Sequence, residues 1–235
     1  MKAVLLAAGL GTRLRPITNE IPKCMVPVNG IHIIERQIKN LVENSVMDIY
    51  VVAGYKREVL KEFLNKNFPF VNVIENEIYN LTNNMYSLYL TLPFIKGGDF
   101  LLMNSDVFYD ANIIEGLLAS KDKNMAACEY GRFIGESMKI TVNSNNEITH
   151  ISKQINPEDS YATSIDVYKI GTEAGNILFD MTIDIIEKQG NRNSWTEVAL
   201  DQIFSKIKFN PYEIKGRWFE IDNHEDLAAA EKLFT

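Results

Sequence analysis

Cysteine is almost missing from this 235-residue chain: only Cys24 and Cys128 occur. They lie far apart without a paired spacing, which argues against a disulfide framework or a cysteine zinc site and fits a reducing cytoplasm. Histidine is as scarce. His32, His150 and His224 fall in separate segments, so they read as surface or structural residues rather than as a metal centre. Positive charge is outnumbered, with 24 Lys and Arg against 31 Asp and Glu and a formal net charge of -7. Such a surface repels a polynucleotide backbone, so no nucleic-acid partner is expected. No apolar run approaches the roughly 20 residues that cross a bilayer, so no membrane partner is expected either. The apolar start of the chain breaks at Gly9 and runs on into Arg13 and Arg15 rather than a small-residue cleavage site, which marks a buried strand and not a signal peptide. Low-complexity segments and repeats are lacking, and without a hexapeptide repeat no left-handed β-helix is expected.

What is present is an ordinary core-forming composition, 46% hydrophobic and 23% charged. The run Ala3-Val4-Leu5-Leu6 ends in a glycine-bearing loop, the pattern of a parallel strand buried on both faces. Residues 33–43 carry Ile34, Ile38, Leu41 and Val42 at helical spacing, and 49–53 form a second buried strand closed by Gly54. A helix over 58–65, a strand over 71–74, a helix over 86–92 ended by Pro93, and a third buried strand over 100–103 follow. The spacing therefore predicts an α/β protein with a Rossmann-like, doubly wound, mixed and mainly parallel sheet and helices on both faces. Beyond residue 125 the runs 138–142, 147–152 and 165–170 are shorter and more alternating, which predicts a small antiparallel addition. Helices over 177–188 and 197–207, strands over 212–214 and 218–221, and an amphipathic helix over 224–234 complete the reading. One domain over 1–235 is expected.

The strongest chemical signal is Leu6-Ala7-Ala8-Gly9-Leu10-Gly11-Thr12-Arg13-Leu14. Small residues there let backbone N–H groups approach phosphates and a base. Leu14 stands where a dinucleotide fingerprint needs its third glycine, and no Gly-Lys-Ser/Thr follows as in a P-loop. Arg13 instead suits direct contact with triphosphate oxygens, which a guanidinium grips bidentately; the plain alternative is a tight turn with a solvated arginine. Ten residues on, Pro22-Lys23-Cys24-Met25-Val26-Pro27-Val28 holds a lysine between prolines that fix its backbone. Lys23 is expected to be exposed, packed only along its stem, and directed at a phosphate.

These two segments, at this spacing and with Pro16 between them, resemble the N-terminal signature of the sugar-phosphate nucleotidylyltransferase superfamily. Asn104-Ser105-Asp106 is similar to that family's strand-end Gly/Asn-x-Asp, and Glu220-Ile221-Asp222 to its second metal-binding element. The resemblance implies a fold of the nucleotide-diphospho-sugar transferase type, with a nucleotide-binding half over about 1–125 and an acceptor-binding half over about 126–235. It further implies that Leu6, Ala7, Ala8, Gly9, Gly11 and Thr12 line the nucleotide and that Arg13 holds the β- and γ-phosphates. Lys23 would act at the reacting centre, and Asp106 and Asp222 would bind Mg²⁺. A hard cation shared with phosphates needs only one or two protein carboxylates, and ligands gather at the carboxyl ends of parallel strands. For Asp222 the alternative is a role in starting the last helix. Lys153 stands where sugar-directed members carry Glu-Lys-Pro, whose lysine holds the acceptor phosphate; only the lysine is kept here.

The segment Asn83-Asn84-Met85-Tyr86-Ser87-Leu88 is similar to one in bacterial phosphocholine cytidylyltransferases, which implies CTP as the nucleotide, with Asn83 at the base and Asn84 at the acceptor. Tyr86, Tyr168 and Trp195, with Tyr79 and Trp218, are candidates for a cage around an amine, each cation–π contact worth roughly 0.5–2 kcal/mol; the plain alternative for most of them is a place in the core. The acceptor is a small phosphorylated molecule resembling phosphocholine or a phospho-amino acid. Two other readings stay open: a sugar-1-phosphate nucleotidylyltransferase using UTP, dTTP or GTP, and a catalytically silent nucleotide-sensing module. A homodimer is compatible with the sequence.

Overall fold

The computed structural model describes residues 1–131 and 137–235. In chain order the elements are β1 (Lys2–Ala7), β2 (Pro27–Val28), β3 (Ile31–His32), α1 (Ile33–Glu43), β4 (Asp48–Ala53), α2 (Arg57–Asn67) and β5 (Asn72–Glu75). Next come α3 (Asn84–Leu90), α4 (Leu92–Ile95), β6 (Phe100–Asn104), β7 (Val107–Tyr109), α5 (Asn112–Ala119), β8 (Met125–Tyr130), β9 (Lys139–Val142) and β10 (Ile148–Ser152). The chain closes with β11 (Ala162–Ile170), α6 (Thr172–Ile183), α7 (Thr196–Ile203), β12 (Asn210–Glu213), β13 (Trp218–Glu220) and α8 (His224–Leu233).

β1 is the centre of a mixed sheet. Its Leu5, Ala3 and Ala7 pack with Ile34, Ile38, Leu60 and Ile113 of α1, α2 and α5 on one face, while Val4 and Leu6 pack with Met85, Leu88 and Leu200 of α3 and α7 on the other. Successive strand side chains point to opposite faces, so a strand covered on both sides must be apolar throughout. β4 and β6 flank β1 in parallel register, Ala7 opposite Ala53 and Leu6 opposite Asn104, and β5 extends the parallel run beyond β4. The antiparallel addition begins with β11, which pairs with β6 over its last four residues and with β9 at Ala162 and Thr163. β11 thus changes neighbour along its length, and the change is marked by a bulge between Ser164 and Tyr168 in its pairing with β8. The mixed α/β fold expected from the sequence is observed.

Two local expectations are corrected. Pro93 does not end the helix before it: α3 stops at Leu90, and Pro93 sits in the first turn of α4, where its missing N–H leaves no intrahelical bond unmade. The helix expected over 177–188 starts earlier, at Thr172, and finishes as a π-helical turn over Asp184–Lys188. No helix among the described residues is long and apolar enough to cross a membrane.

Candidate active site

The carboxyl ends of β1, β4 and β6 lie level with one another, and a cleft of about 370 Å³ opens there. Leu6, Ala8, Gly9, Gly11, Thr12 and Arg13 line one wall; Ala7 does not, because strand alternation turns it into the core. Gly11 in this wall and Gly54 behind Ala8 allow two close approaches. Gly11 has φ +59, and a β-carbon on it would lie 2.9 Å from Lys23 Cβ and 3.2 Å from Thr18 Cγ2. Gly54, at the end of β4, passes so close that a β-carbon would meet the Ala8 carbonyl oxygen at 2.7 Å.

At the cleft floor, the antiparallel pair β7–β13 sets Glu220 opposite Val107, and the Ile221 N–H donates to the Asp106 carbonyl at 2.9 Å. This pairing brings Asp222 beside Asp106. Lys23 Nζ lies between them, 2.7 Å from Asp106 Oδ2 and 2.6 Å from Asp222 Oδ1, and Arg13 reaches Asp222 Oδ2 at 2.9 Å. Oxygens of Asp106, Glu220 and Asp222 lie within 4.8 Å of one another. Among the described residues, the buried Asp106 Oδ1 has no hydrogen-bond partner, which is what a carboxylate set aside for a hard cation looks like. The start of α8 falls to Asn223, whose side chain accepts from Glu225 and Asp226 N–H groups in a capping box; Asp222 is thereby spared that role.

The electrostatics follow from crowding. Burial alone would lower the Lys23 ammonium, but Asp106 and Asp222 outweigh it and hold the pKa well above its ordinary value. Burial raises Asp222, yet Lys23 and Arg13 reverse the sign and leave it lowered. Glu220 is pushed up to about 8 by burial and by Asp106, Asp166 and Asp222. Lys23 is not the exposed lysine that the sequence suggested. Its side chain is 16% exposed, because the prolines turn it inward onto two carboxylates.

On the far wall stand Asn83, Asn84, Asn104, Lys153, Asp166 and Glu197. Asn83 caps α3, its side chain accepting from the Asn84 N–H at 2.8 Å. Asn84 Oδ1 accepts from the Thr196 N–H at 2.8 Å. Lys153 Nζ lies 5.3 Å from the centre of the Trp195 ring. Asp166 has φ +57, an uncommon conformation for any residue but glycine, and sits in the bulge where β11 changes neighbour. Burial, with Glu197 and Asp106, raises its pKa to about 8, and burial likewise raises Glu197.

The expected aromatic cage is not assembled. Tyr168 is buried behind the wall, its hydroxyl donating to Asp166 Oδ1 at 3.0 Å, and Tyr86 stacks on Tyr89 at 5.7 Å away from the cleft. Trp218 is a core residue. Only Tyr79 and Trp195 of the five named aromatics line the cleft. Conversely, Asp166 and Glu197 were not singled out from the sequence, and Asn104 was quoted only as part of the Asp106 motif, without a role. A carboxylate inside the buried run of β11 was the available signal for Asp166, whereas Glu197 reads as an ordinary acid in a helix first turn.

A family model for nucleotidyl transferases matches residues 2–137. The chain is 29% identical over all its length to the bifunctional protein GlmU of Methanococcus maripaludis, covering 54% of that protein, so it spans about half the length of that relative. It is 28% identical over 97% of its length to the CTP:phosphoglutamine cytidylyltransferase of Campylobacter jejuni, covering 98% of it. Among solved structures, the CTP:phosphocholine cytidylyltransferase from Streptococcus pneumoniae superposes with a TM-score of 0.82 at 23% identity, covering 100% of this chain and 99% of that one. At that identity the likeness speaks for the fold.

Proposed function

The chain belongs to the nucleotidyl transferase family, and we propose that it transfers CMP from CTP to a small phosphorylated acceptor and releases pyrophosphate. The observation that carries this reading is the meeting of Asp106, Glu220 and Asp222 with Arg13 and Lys23 at the mouth of the glycine loop. In-line attack by an acceptor phosphate oxygen on the α-phosphorus forms one P–O bond, while the bond to the β-phosphate breaks and its electron pair leaves with pyrophosphate. No protein nucleophile is needed, so catalysis rests on positioning and on neutralising developing charge.

Asp106 and Asp222 would hold Mg²⁺, with Glu220 beside them, and the unpartnered Asp106 Oδ1 suits that use. Bound there, the ion would neutralise charge on the triphosphate and on departing pyrophosphate. Arg13 would grip the β- and γ-phosphates, and Lys23, released from its carboxylates, the reacting phosphates. Lys153 would hold the acceptor phosphate. The backbone of residues 6–12 would border the nucleotide and Asn83 its base.

Among the described residues lining the cleft are five acidic side chains, Asp106, Asp166, Glu197, Glu220 and Asp222, and three cations, Arg13, Lys23 and Lys153; crowding keeps protons on Asp166 and Glu220, whose pKa values are raised to about 8. A triphosphate would add to that crowding of negative charge. A divalent cation and an acceptor that carries its own positive charge, as an amine phosphate does, would both offset the charge that the triphosphate brings. CTP is favoured by Asn83-Asn84 and by the name of the Campylobacter relative. Pyrophosphate release measured over CTP, UTP, GTP and dTTP crossed with amine, sugar and amino-acid phosphates tests the proposal. Turnover confined to UTP, GTP or dTTP with sugar phosphates replaces it by the sugar-directed reading, and no turnover at all leaves a nucleotide-sensing module.

A further inference from the structure

Four groups across the cleft form a chain of hydrogen bonds whose direction is fixed from one end. The Thr196 N–H, at the start of α7, has only a proton to offer and gives it to Asn84 Oδ1 at 2.8 Å. That turns Asn84 Nδ2 to Asn104 Oδ1 at 3.4 Å, and Asn104 Nδ2 to Asp166 Oδ2 at 3.1 Å. A side-chain amide has one accepting and one donating end, so no member can be turned round without setting donor against donor. Asp166 closes the chain, its other oxygen taken by the Tyr168 hydroxyl at 3.0 Å. Asn104 is also fixed from behind. Its carbonyl accepts from Gln37 Nε2 at 2.9 Å, and its backbone is in register with Leu6 of β1.

We propose that Asn104 is a positioning residue for the transfer reaction, acting through Asp166 on the acceptor and through Asn84 on the start of α7. The inference rests on the function proposed above. Asn104 is rooted in the same strand end as Asp106, so its amide ties the far wall to the floor where charge is handled. Through Asn84 it sets where α7 begins, and with it Trp195 and Glu197, which both face the cleft. Asp166 occupies an uncommon backbone conformation, and the donors from Asn104 and Tyr168 fix its carboxyl. The link from Asn84 to Asn104 is the longest of the chain, so a ligand group bound by Asn84 displaces that link first. The state of Asn84 is thereby passed to the acceptor wall.

Asn104→Leu keeps the branched shape and removes both polar ends; Asp166→Asn turns one of the two carboxyl oxygens that accept from Asn104 and Tyr168 into an amide donor. With CTP and the best acceptor, Asn104→Leu is expected to lower acceptor kcat/KM about a hundredfold, since small misplacements near reacting groups cost that much. The KM for CTP should change by less than about threefold. Adding Asp166→Asn should then cost little more, because the two residues act as one unit. Unchanged KM values with a reduced active fraction, or additive losses in the double variant, would overturn the inference. Hydrogen exchange at the Thr196 amide needs no substrate: exchange faster in Asn104→Leu than in the parent supports it, and equal exchange sinks it. If no nucleotide and acceptor pair turns over in the parent, the CMP-transfer reading falls, while the exchange measurement still decides on Asn104.

Discussion

Gly11 and Lys23 are packed so closely that a β-carbon on the glycine would lie 2.9 Å from the lysine Cβ. The two halves of the N-terminal motif are therefore one structure: the glycine loop sets the depth at which the lysine stem passes, and the lysine then meets Asp106 and Asp222. Gly11→Ala adds that carbon at φ +59, where it is strained whatever the space. We expect a loss of roughly 1–3 kcal/mol in stability and a fall of at least about tenfold in kcat/KM for the nucleotide, from displacement of Lys23. Urea unfolding and steady-state kinetics check both, and a variant equal to the parent in both would show that loop and lysine are independent.

Asp106→Asn should fold normally yet lose turnover by about a hundredfold or more at saturating Mg²⁺, because a neutral amide cannot offset charge in the transition state. Among the described residues its Oδ1 has no partner to lose, and an amide oxygen in the place of Oδ2 still accepts from Lys23. Near-normal turnover would remove Asp106 from the metal site.

Lys23→Ala is a different case, and its stability effect follows from burial. The ammonium sits between two carboxylates at 2.6 and 2.7 Å, so its removal leaves Asp106 and Asp222 facing each other with only the Arg13 contact to Asp222 as compensation. We expect the Mg²⁺-free variant to lose roughly 1–3 kcal/mol, largely recovered when Mg²⁺ is added, together with a large fall in kcat. Thermal unfolding with and without Mg²⁺ reads this directly. A loss that Mg²⁺ does not restore would place the cost elsewhere than in the two carboxylates.

The pKa of Asp166 is raised to about 8 by burial and by neighbouring acids, which makes the fold pH-sensitive in a known direction. Below the ordinary carboxyl range, both folded and unfolded states are protonated. Between that range and about pH 8 the folded state holds a proton that the unfolded chain has lost, so stability falls as pH rises through this window. Asp166→Asn does not titrate and is tolerated at positive φ. Its melting temperature relative to the parent should rise by about 2–4 °C for each kcal/mol relieved on going from pH 5 to pH 9. Exchange of one carboxyl oxygen for an amide donor shifts both ends equally, so the slope is the readout, and a flat difference would mean that Asp166 does not hold a proton across this window.

The sequence was legible where function is local. Residues 6–14 and 22–28 read as a candidate phosphate loop because their glycines, prolines and cations lie within short stretches of chain, and all but Ala7 of the loop residues assigned a role at 6–13 line the cleft. The β1, β4 and β6 strands were visible because burial on both faces demands unbroken apolar runs. On the far wall Asn83, Asn84, Lys153 and Trp195 were named from the sequence and do line the cleft, but the hydrogen-bond network that joins that wall was not legible. Asn84 and Thr196 are 112 residues apart, and Asn104 meets Asp166 only because β11 bulges where it leaves β9 for β6. Tyr168 was misplaced for the same reason: the bulge turns Asp166 to the cleft and leaves the tyrosine behind it. Lys23 was expected to be exposed because its sequence neighbours say nothing of Asp222, which is brought to it by strand pairing across the chain.

The last prediction concerns the base. Asn83 lines the cleft, and its side chain also caps α3 by accepting from the Asn84 N–H. Alanine there removes both functions and costs about 1 kcal/mol in the cap alone, so a weakened enzyme would not tell recognition from folding. Asn83→Ser keeps a good cap and removes the amide. If Asn83 reads the nucleotide, the parent should prefer CTP over UTP by about a hundredfold, since a polar edge left unpaired in a buried site is costly. Asn83→Ser should lose most of that preference at an unchanged melting temperature, while Asn83→Ala should lose preference and stability together. Competition assays with both triphosphates present, alongside thermal unfolding, separate the two effects. A serine variant that keeps the parent preference would confine Asn83 to the helix cap and move base recognition to another part of the cleft.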